Sequence, residues 1–173
     1  GVDFRNGVDQ KFILLARNNQ GFEAINAYLS QMLHDEKDFP DEAPQLQHTV
    51  TIYPFQKGKV RTLRRTEYLG MRPEDLSQIR LNKLDTSRMV ILQPASFRYK
   101  KDFNAHRLLR AIDLNILLSK LPTSEQARET DVLWSRDALH RTYGEFPDLI
   151  ENTKSILDAC NVAFSFAPKV EPQ

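Results

Sequence analysis

The chain has 173 residues, of which 40% are hydrophobic and 27% charged, and its formal net charge is +1 at pH 7. This composition is typical of one folded domain and excludes a disordered chain, a coiled coil and a strongly basic nucleic-acid binder. No apolar run reaches the roughly 18 residues of a membrane span, which predicts no membrane partner. The single cysteine, Cys160, excludes an internal disulfide and a zinc-thiolate framework, and favours a cytoplasmic location.

Residues 1–99 alternate short β-branched or aromatic runs with amphipathic stretches, the pattern of an α/β domain with a largely parallel sheet. A turn at Asn18 and Asn19 begins a helix that ends near His34, and Pro73 begins another that runs to Leu84. Two stretches lack regular periodicity and are predicted to be loops, residues 35–47 and 54–66. Strands are predicted at residues 12–16, 49–53, 68–71 and 89–92.

Residues 100–166 are predicted to be mostly helical, and residues 167–173 a tail of the same single domain. Asp102 is placed to cap a long helix over 103–119, whose apolar residues are predicted to face the core: Leu108, Leu109, Ile112, Ile116 and Leu117. Three further elements are a capping box at Thr123 and Gln126, a helix over 136–143 after Ser135, and a helix from Pro147 to Cys160. A last strand is predicted at 162–166.

Motifs for chemistry are scarce in this sequence. There is no Gly-rich phosphate loop, HExxH, CxxC or GxSxG, and the four histidines at 34, 48, 106 and 140 are far apart. Asp102 and His106, four residues apart on one predicted helix, are interpreted as a capping and charge pair. Cys160 is interpreted as a small apolar side chain of the core.

The basic segment, residues 57–65 (KGKVRTLRR), carries five positive charges within nine residues: Lys57, Lys59, Arg61, Arg64 and Arg65. Such charges bind phosphates by releasing counterions, so this segment is the candidate DNA contact. The favoured alternative is a solvated loop balanced by the acidic residues around 35–42. No aromatic residue that could stack on a base lies within the segment.

The order of several segments resembles the PHP (polymerase and histidinol phosphatase) domain of the bacterial DNA polymerase III alpha subunit. The matching segments, in family order, are GVDFRNG, FILLARNNQGFEAINAYLS, RPEDLSQIRLNKL, MVILQPASF, NAHRLLRAIDLNILLSKL and FPDLIENTKSILDACNVAF. The resemblance implies a partial, distorted β/α barrel that begins downstream of strands bearing a His-x-His motif and an Asp-His pair. The expected fold is an open, largely parallel sheet with flanking helices, whose unpaired edge is covered or pairs with another copy.

The same resemblance bears on metal chemistry, because active family members hold metal ions with His, Asp, Glu and Cys residues. Asp3 takes the place of a family glutamate ligand. The late Asp-x-His turn falls within residues 94–99 (PASFRY), where Ser96 and Arg98 stand instead. One carboxylate does not make a site of about three protein ligands, so we expect no metal, no cofactor and no catalytic residue here.

The function that the resemblance implies is a non-catalytic structural and docking portion of a replicative polymerase. Its expected partners are the rest of the alpha chain, which is a DNA-directed DNA polymerase, the proofreading exonuclease subunit, and DNA through the parent chain. A homodimer of the isolated piece is a further expectation. Two alternatives stay open: a metal-dependent phosphoesterase of the PHP family, and a DNA-contacting module that uses the basic segment.

Overall fold

The computed structural model describes residues 1–164, and the statements below concern those residues. The elements in chain order are β1 (Val2–Asn6), β2 (Asp9–Ala16), α1 (Asn19–His34), β3 (Thr49–Pro54), β4 (Glu67–Met71), α2 (Leu76–Asn82), β5 (Met89–Ile91), α3 (Phe103–Asp113), α4 (Arg136–Tyr143) and α5 (Pro147–Ala159). Short 3₁₀ turns lie at Pro73–Asp75, Lys100–Asp102, Leu118–Lys120 and Thr123–Glu125. No helix in this part of the chain combines the length and apolar character that a bilayer span needs.

The five strands form one open sheet in the order β1-β2-β3-β4-β5, with helices beside it. The pairs β3/β4 and β4/β5 are parallel, whereas β1/β2 and β2/β3 are antiparallel. The sheet is therefore mixed, and the prediction of a largely parallel sheet is wrong for its first half. The chain is α/β as predicted, and its sheet does not close into a barrel.

A two-residue turn explains why the first half of the sheet is antiparallel. Asn6 pairs with Asp9, so only Gly7 and Val8 connect β1 to β2. A connection this short joins only antiparallel strands, because parallel strands need a crossover of a dozen or more residues. Gly7 has a φ of 61°, the left-handed conformation that glycine adopts without strain at the first position of such a turn.

Both faces of the sheet are buried, and β2 shows this most clearly. Phe12 and Leu14 belong to a core that includes Ile25 of α1. Their neighbours Ile13 and Leu15 point to the opposite face and pack against a core that includes Ile156 of α5. This two-residue alternation, with apolar side chains on both faces, is what a strand between two helical layers requires.

A third core lies beside β4 and β5, and it joins three helices to the end of the sheet. Its fully or nearly fully buried residues are Met71, Leu76, Ile79, Met89, Tyr143 and Leu149. The Tyr143 hydroxyl donates a hydrogen bond to the Met71 carbonyl oxygen at 3.0 Å. Helix α4 is thereby fixed to the end of β4.

The helical part of the chain differs from the prediction in three places. Helix α3 ends at Asp113 rather than near residue 119, because Asn115 takes a left-handed φ of 52°. The predicted capping box at Thr123 and Gln126 is a single 3₁₀ turn. Residues 162–164 form no strand, and the rest of the predicted strand and the tail at 167–173 lie outside the described residues.

Helix α5 covers the outer edge of β5. The Asn152 side-chain nitrogen donates to the carbonyl oxygen of Met89 at 2.9 Å and contacts that of Ser87 at 3.1 Å. The Thr153 hydroxyl accepts a hydrogen bond from the Ile91 amide at 2.9 Å. These side chains take the place of a sixth strand and satisfy backbone groups that would otherwise be an unpaired edge.

We expect Asn152→Ala to lower the free energy of unfolding by about 1–2 kcal/mol, since it leaves edge carbonyl groups without a donor. Urea denaturation followed by circular dichroism measures this change. The matched control is Glu151→Ala, which alters an exposed neighbour on the same helix. Equal stabilities for the two variants would contradict the edge-covering role of Asn152.

Candidate functional site

The basic segment lies on the connection between β3 and β4, and part of it is held against the acidic loop, residues 35–47. The Arg61 guanidinium lies over the Tyr53 ring, 3.8 Å from its centroid, and donates to the Asp41 carbonyl oxygen at 3.2 Å. The Lys59 ammonium nitrogen is 3.7 Å from an Asp41 carboxylate oxygen. Two of the five candidate phosphate contacts are therefore engaged within the chain.

Arg64 is a third engaged residue, and its partner is the buried carboxylate of Glu67. One Glu67 oxygen accepts from the Arg64 backbone amide at 2.7 Å, and the other accepts from the Arg64 guanidinium at 3.3 Å. Glu67 is only 5% exposed, and the Tyr53 hydroxyl lies 3.4 Å from it. Burial raises the pKa of that tyrosine, which keeps its hydroxyl protonated as a donor.

Lys57 and Arg65 differ from the other three basic residues of the segment. Within residues 1–164, neither side chain takes part in an ion pair. The segment is thus a loop whose positive charges are partly neutralised by the acidic loop. This agrees with the alternative that its sequence favoured. DNA contact through the basic segment stays a prediction, and Lys57 and Arg65 are the residues on which to test it.

We expect Arg64→Glu to lower the free energy of unfolding by about 1–2 kcal/mol, because it opposes the buried Glu67 with a second carboxylate. Arg65→Glu makes the same charge change one residue away and is expected to stay within about 0.5 kcal/mol of the parent. Chemical denaturation compares the two. If both variants unfold at the same denaturant concentration, the Arg64–Glu67 contact carries no stability. Loss of DNA binding in Arg64→Glu alone would report on folding rather than on phosphate contact.

Asp41 connects the acidic loop to the sheet as well as to the basic segment. Its carboxylate lies 2.7 Å from the Lys11 ammonium nitrogen of β2, which is also 2.7 Å from Asp9. The hydrogen bond from Lys11 lowers the pKa of the Asp41 carboxyl, and the charge of Lys59 acts in the same direction. Three segments that are distant in sequence therefore meet at one carboxylate.

We expect the Asp41 carboxyl to titrate below the ordinary range of an aspartate, and Lys11→Gln to return its pKa toward that range. A folded pKa below the unfolded one means that the contact stabilises the fold above the unfolded pKa and is lost as the pH falls through the folded pKa. Carboxyl-carbon NMR over an acid titration measures the midpoint. The control is Lys37→Gln, which removes a lysine of the same loop that pairs with Asp35. An unchanged midpoint in Lys11→Gln would contradict the assignment.

Asp3, which the resemblance places at a metal-ligand position, is engaged by its neighbours on the β1–β2 hairpin. One carboxylate oxygen accepts from the Arg5 guanidinium at 2.8 Å. The other accepts from the Gln10 side-chain nitrogen at 2.9 Å, and the Gln10 amide oxygen in turn accepts from Arg72 at 3.0 Å. The carboxylate is therefore part of a polar network that leads to Arg72.

The turn after β5, residues 94–99, pairs with a later segment of the chain. The Ser96 amide donates to the Asp131 carbonyl oxygen at 2.8 Å, and Phe97 bridges in parallel to Val132. Arg98 lies 5.3 Å from the centroid of the Tyr99 ring. Within residues 1–164, no group of three or more His, Cys, Asp or Glu side chains is arranged to hold a metal ion.

The other candidates for chemistry have structural partners. Asp102 accepts a hydrogen bond from the Tyr99 amide at 3.0 Å, whereas His106 accepts one from the Ala127 amide at 3.0 Å. Asp102 and His106 therefore bind different backbone amides and do not form the predicted pair. Burial raises the pKa of the Cys160 thiol, which opposes thiolate formation and agrees with a core residue.

Helix α3 is packed with its apolar side outward, contrary to the sequence prediction. The α3 ridge consists of Leu108, Leu109 and Ile112 on α3 and of Leu117, which follows the helix, and all four are exposed. Leu109, Ile112 and Leu117 are each about two thirds accessible. Ile116, which was also predicted to face the core, is 37% exposed. The inward prediction is wrong because an amphipathic pattern identifies the apolar face of a helix and does not say what covers it.

The packed side of α3 is polar and aromatic. Arg110 donates to the Glu125 carboxylate at 2.6 Å and to its carbonyl oxygen at 3.2 Å. Arg107 donates to the Gln126 amide oxygen at 2.8 Å, and Ala111 is buried. Polar contacts with residues 121–127 therefore decide how α3 is oriented. The apolar periodicity of the helix predicted over 103–119 was the sequence signal for the ridge, but its apolar face was predicted to lie in the core.

No protein-family model matches this chain, and no curated protein matches it.

Proposed function

We propose that this chain is a non-catalytic structural and docking portion of a PHP-like domain in a bacterial DNA polymerase III alpha subunit, with a role in cytoplasmic DNA replication. The observation that carries the proposal is the α3 ridge. In this proposal the parent chain is the DNA-directed DNA polymerase, and its nucleotidyl transfer takes place in another domain. The α/β portion at residues 1–99 and the helical portion at 100–166 then belong to one partial PHP-like domain.

The α3 ridge has the character of a surface that is covered permanently. Full burial of a Leu or Ile side chain is worth about 1.5–3 kcal/mol, so covering the exposed parts of Leu109, Ile112 and Leu117 is worth on the order of 4 kcal/mol. Contiguous apolar patches on a domain mark interaction sites. Obligate contacts are more apolar than transient ones, which favours the rest of the same polypeptide as the occupant over a separate subunit.

Two features of the fold support the resemblance from which the proposal starts. The unit β4–α2–β5 is a parallel crossover whose helix and second strand lie in the segments RPEDLSQIRLNKL and MVIL, as a β/α barrel requires. Strand β1 makes no backbone hydrogen bond to any segment other than β2 within residues 1–164. In a barrel of the PHP type, this edge of β1 would pair with another strand.

The proposal is tested in the full-length protein that contains this chain. We expect that protein to extend a primed DNA template. We expect Leu109→Gln combined with Ile112→Gln to lower its melting temperature by about 4 °C or more, because these substitutions place polar groups in an apolar contact. Differential scanning fluorimetry and a primer-extension assay measure the two effects.

The matched control is Val60→Gln combined with Leu81→Gln, which changes two exposed apolar residues outside the ridge. This control is expected to leave the melting temperature within about 1 °C of the parent. Absence of DNA synthesis by the full-length protein would refute the polymerase assignment. An unchanged melting temperature together with weaker binding of an exonuclease subunit would move the ridge contact to that subunit.

A further inference from the structure

A groove of about 450 Å³ lies between helices α4 and α5, beside β5, and is called the α4–α5 groove below. Ile91, Leu139 and Ile150 line it, and all three also pack against the core beside β4 and β5. Leu157 of α5 lines the groove as well and is 61% exposed. The volume falls within the range of small-molecule sites, which combine an apolar lining with a few polar groups.

Thr153 is a polar residue of this lining, and its hydroxyl already has partners within the chain. It donates to the Leu149 carbonyl oxygen at 2.6 Å and accepts from the Ile91 amide at 2.9 Å. A hydroxyl has one proton to donate, and here that proton is used by helix α5. Polar recognition in the groove therefore depends on the ionisable side chains that line it.

Two cations line the groove from opposite helices, Arg136 from α4 and Lys154 from α5. Both side chains are exposed, and neither forms an ion pair with any of residues 1–164. The ring of His140, one turn after Arg136 on α4, lies beside them. Unpaired cations next to apolar surface are complementary to an anion that carries an apolar group.

Asp158 supplies the carboxylate among the residues that line the groove. It follows Lys154 by four residues on α5, yet the two form no ion pair in the described part of the chain. A lysine that precedes its acidic partner at this spacing is the weaker of the two orders, since it opposes the helix dipole. Two cations and one carboxylate leave one net positive charge, which matches a monoanion.

We propose that the α4–α5 groove binds a small organic carboxylate with an aromatic or short aliphatic group. The apolar group lies against Leu139, Ile150 and Leu157, and the carboxylate is bound by Arg136 and Lys154. The proposal concerns binding alone, with no chemical step. It is independent of the polymerase assignment and of the α3 ridge.

Titration of the 173-residue chain with sodium 4-phenylbutyrate at pH 7 and constant ionic strength tests the proposal. We expect saturable shifts of backbone amide NMR signals centred on α4, α5 and β5, with a Kd on the order of 1 mM for a ligand of this size. The neutral isostere 4-phenylbutanamide is expected to bind about fivefold more weakly, because it lacks the charge that the two cations attract. Equal affinities for the acid and the amide would overturn the proposal, as would shifts centred elsewhere.

Three substitutions separate the charged contact from the apolar one. Arg136→Gln combined with Lys154→Gln is expected to weaken binding of the acid about fivefold and to leave binding of the amide unchanged. Asp158→Asn is expected to tighten binding of the acid about twofold, because it removes the opposing charge. Leu157→Gln, at an exposed position, is expected to weaken binding of both ligands about fivefold.

The matched control for the charge variant is Arg141→Gln combined with Lys57→Gln. It removes the same two charges at exposed positions outside the groove and is expected to bind both ligands as the parent does. Thermal melting of each variant checks that the fold is kept. If the acid binds the Arg136 and Lys154 double variant as tightly as it binds the parent, the proposal is wrong.

Discussion

The register of β2 is the constraint on which the rest of this structure depends. Residues Phe12 and Leu14 fill one core while Ile13 and Leu15 reach the other, so a shift by one residue would exchange the two faces. The two-residue turn at Gly7 pairs Asn6 with Asp9, and a register shift between Phe4 and Arg5 then pairs Phe4 with Phe12. The same turn brings Arg5 and Gln10 to one end of the sheet. The hairpin therefore stabilises both cores and also places Gln10 within hydrogen-bond distance of Arg72.

Local signals in the sequence predicted several elements correctly. The Asn18 side chain accepts from the Gly21 amide at the start of α1, and Ser135 accepts from the Ala138 amide at the start of α4, as capping residues do. The antiparallel hairpin was missed although Gly7 stood at its turn, since the α/β pattern favoured parallel strands. The orientation of α3 was missed because it depends on polar contacts of Arg107 and Arg110 with residues 121–127, which hydrophobic periodicity does not show.

The basic segment shows why charge runs are ambiguous in a sequence. Its neutralising partner Asp41 lies in a separate loop, and the two loops meet only because β2 and β3 are adjacent in the sheet. Lys11 of β2 holds that carboxylate from the opposite side. A balance of this kind depends on strand order, which composition and spacing do not reveal. The network from Asp3 through Gln10 to Arg72 was hidden for the same reason, since residue 72 is close to the hairpin only in the folded sheet.

The outward apolar side of α3 and the polar contacts of Arg110 and His106 are consequences of the same helix orientation. With Leu109 and Ile112 turned to solvent, Arg110 donates to Glu125 and His106 accepts from the Ala127 amide. A partner that covers the ridge would restrict the motion of α3 and hold those two side chains in place.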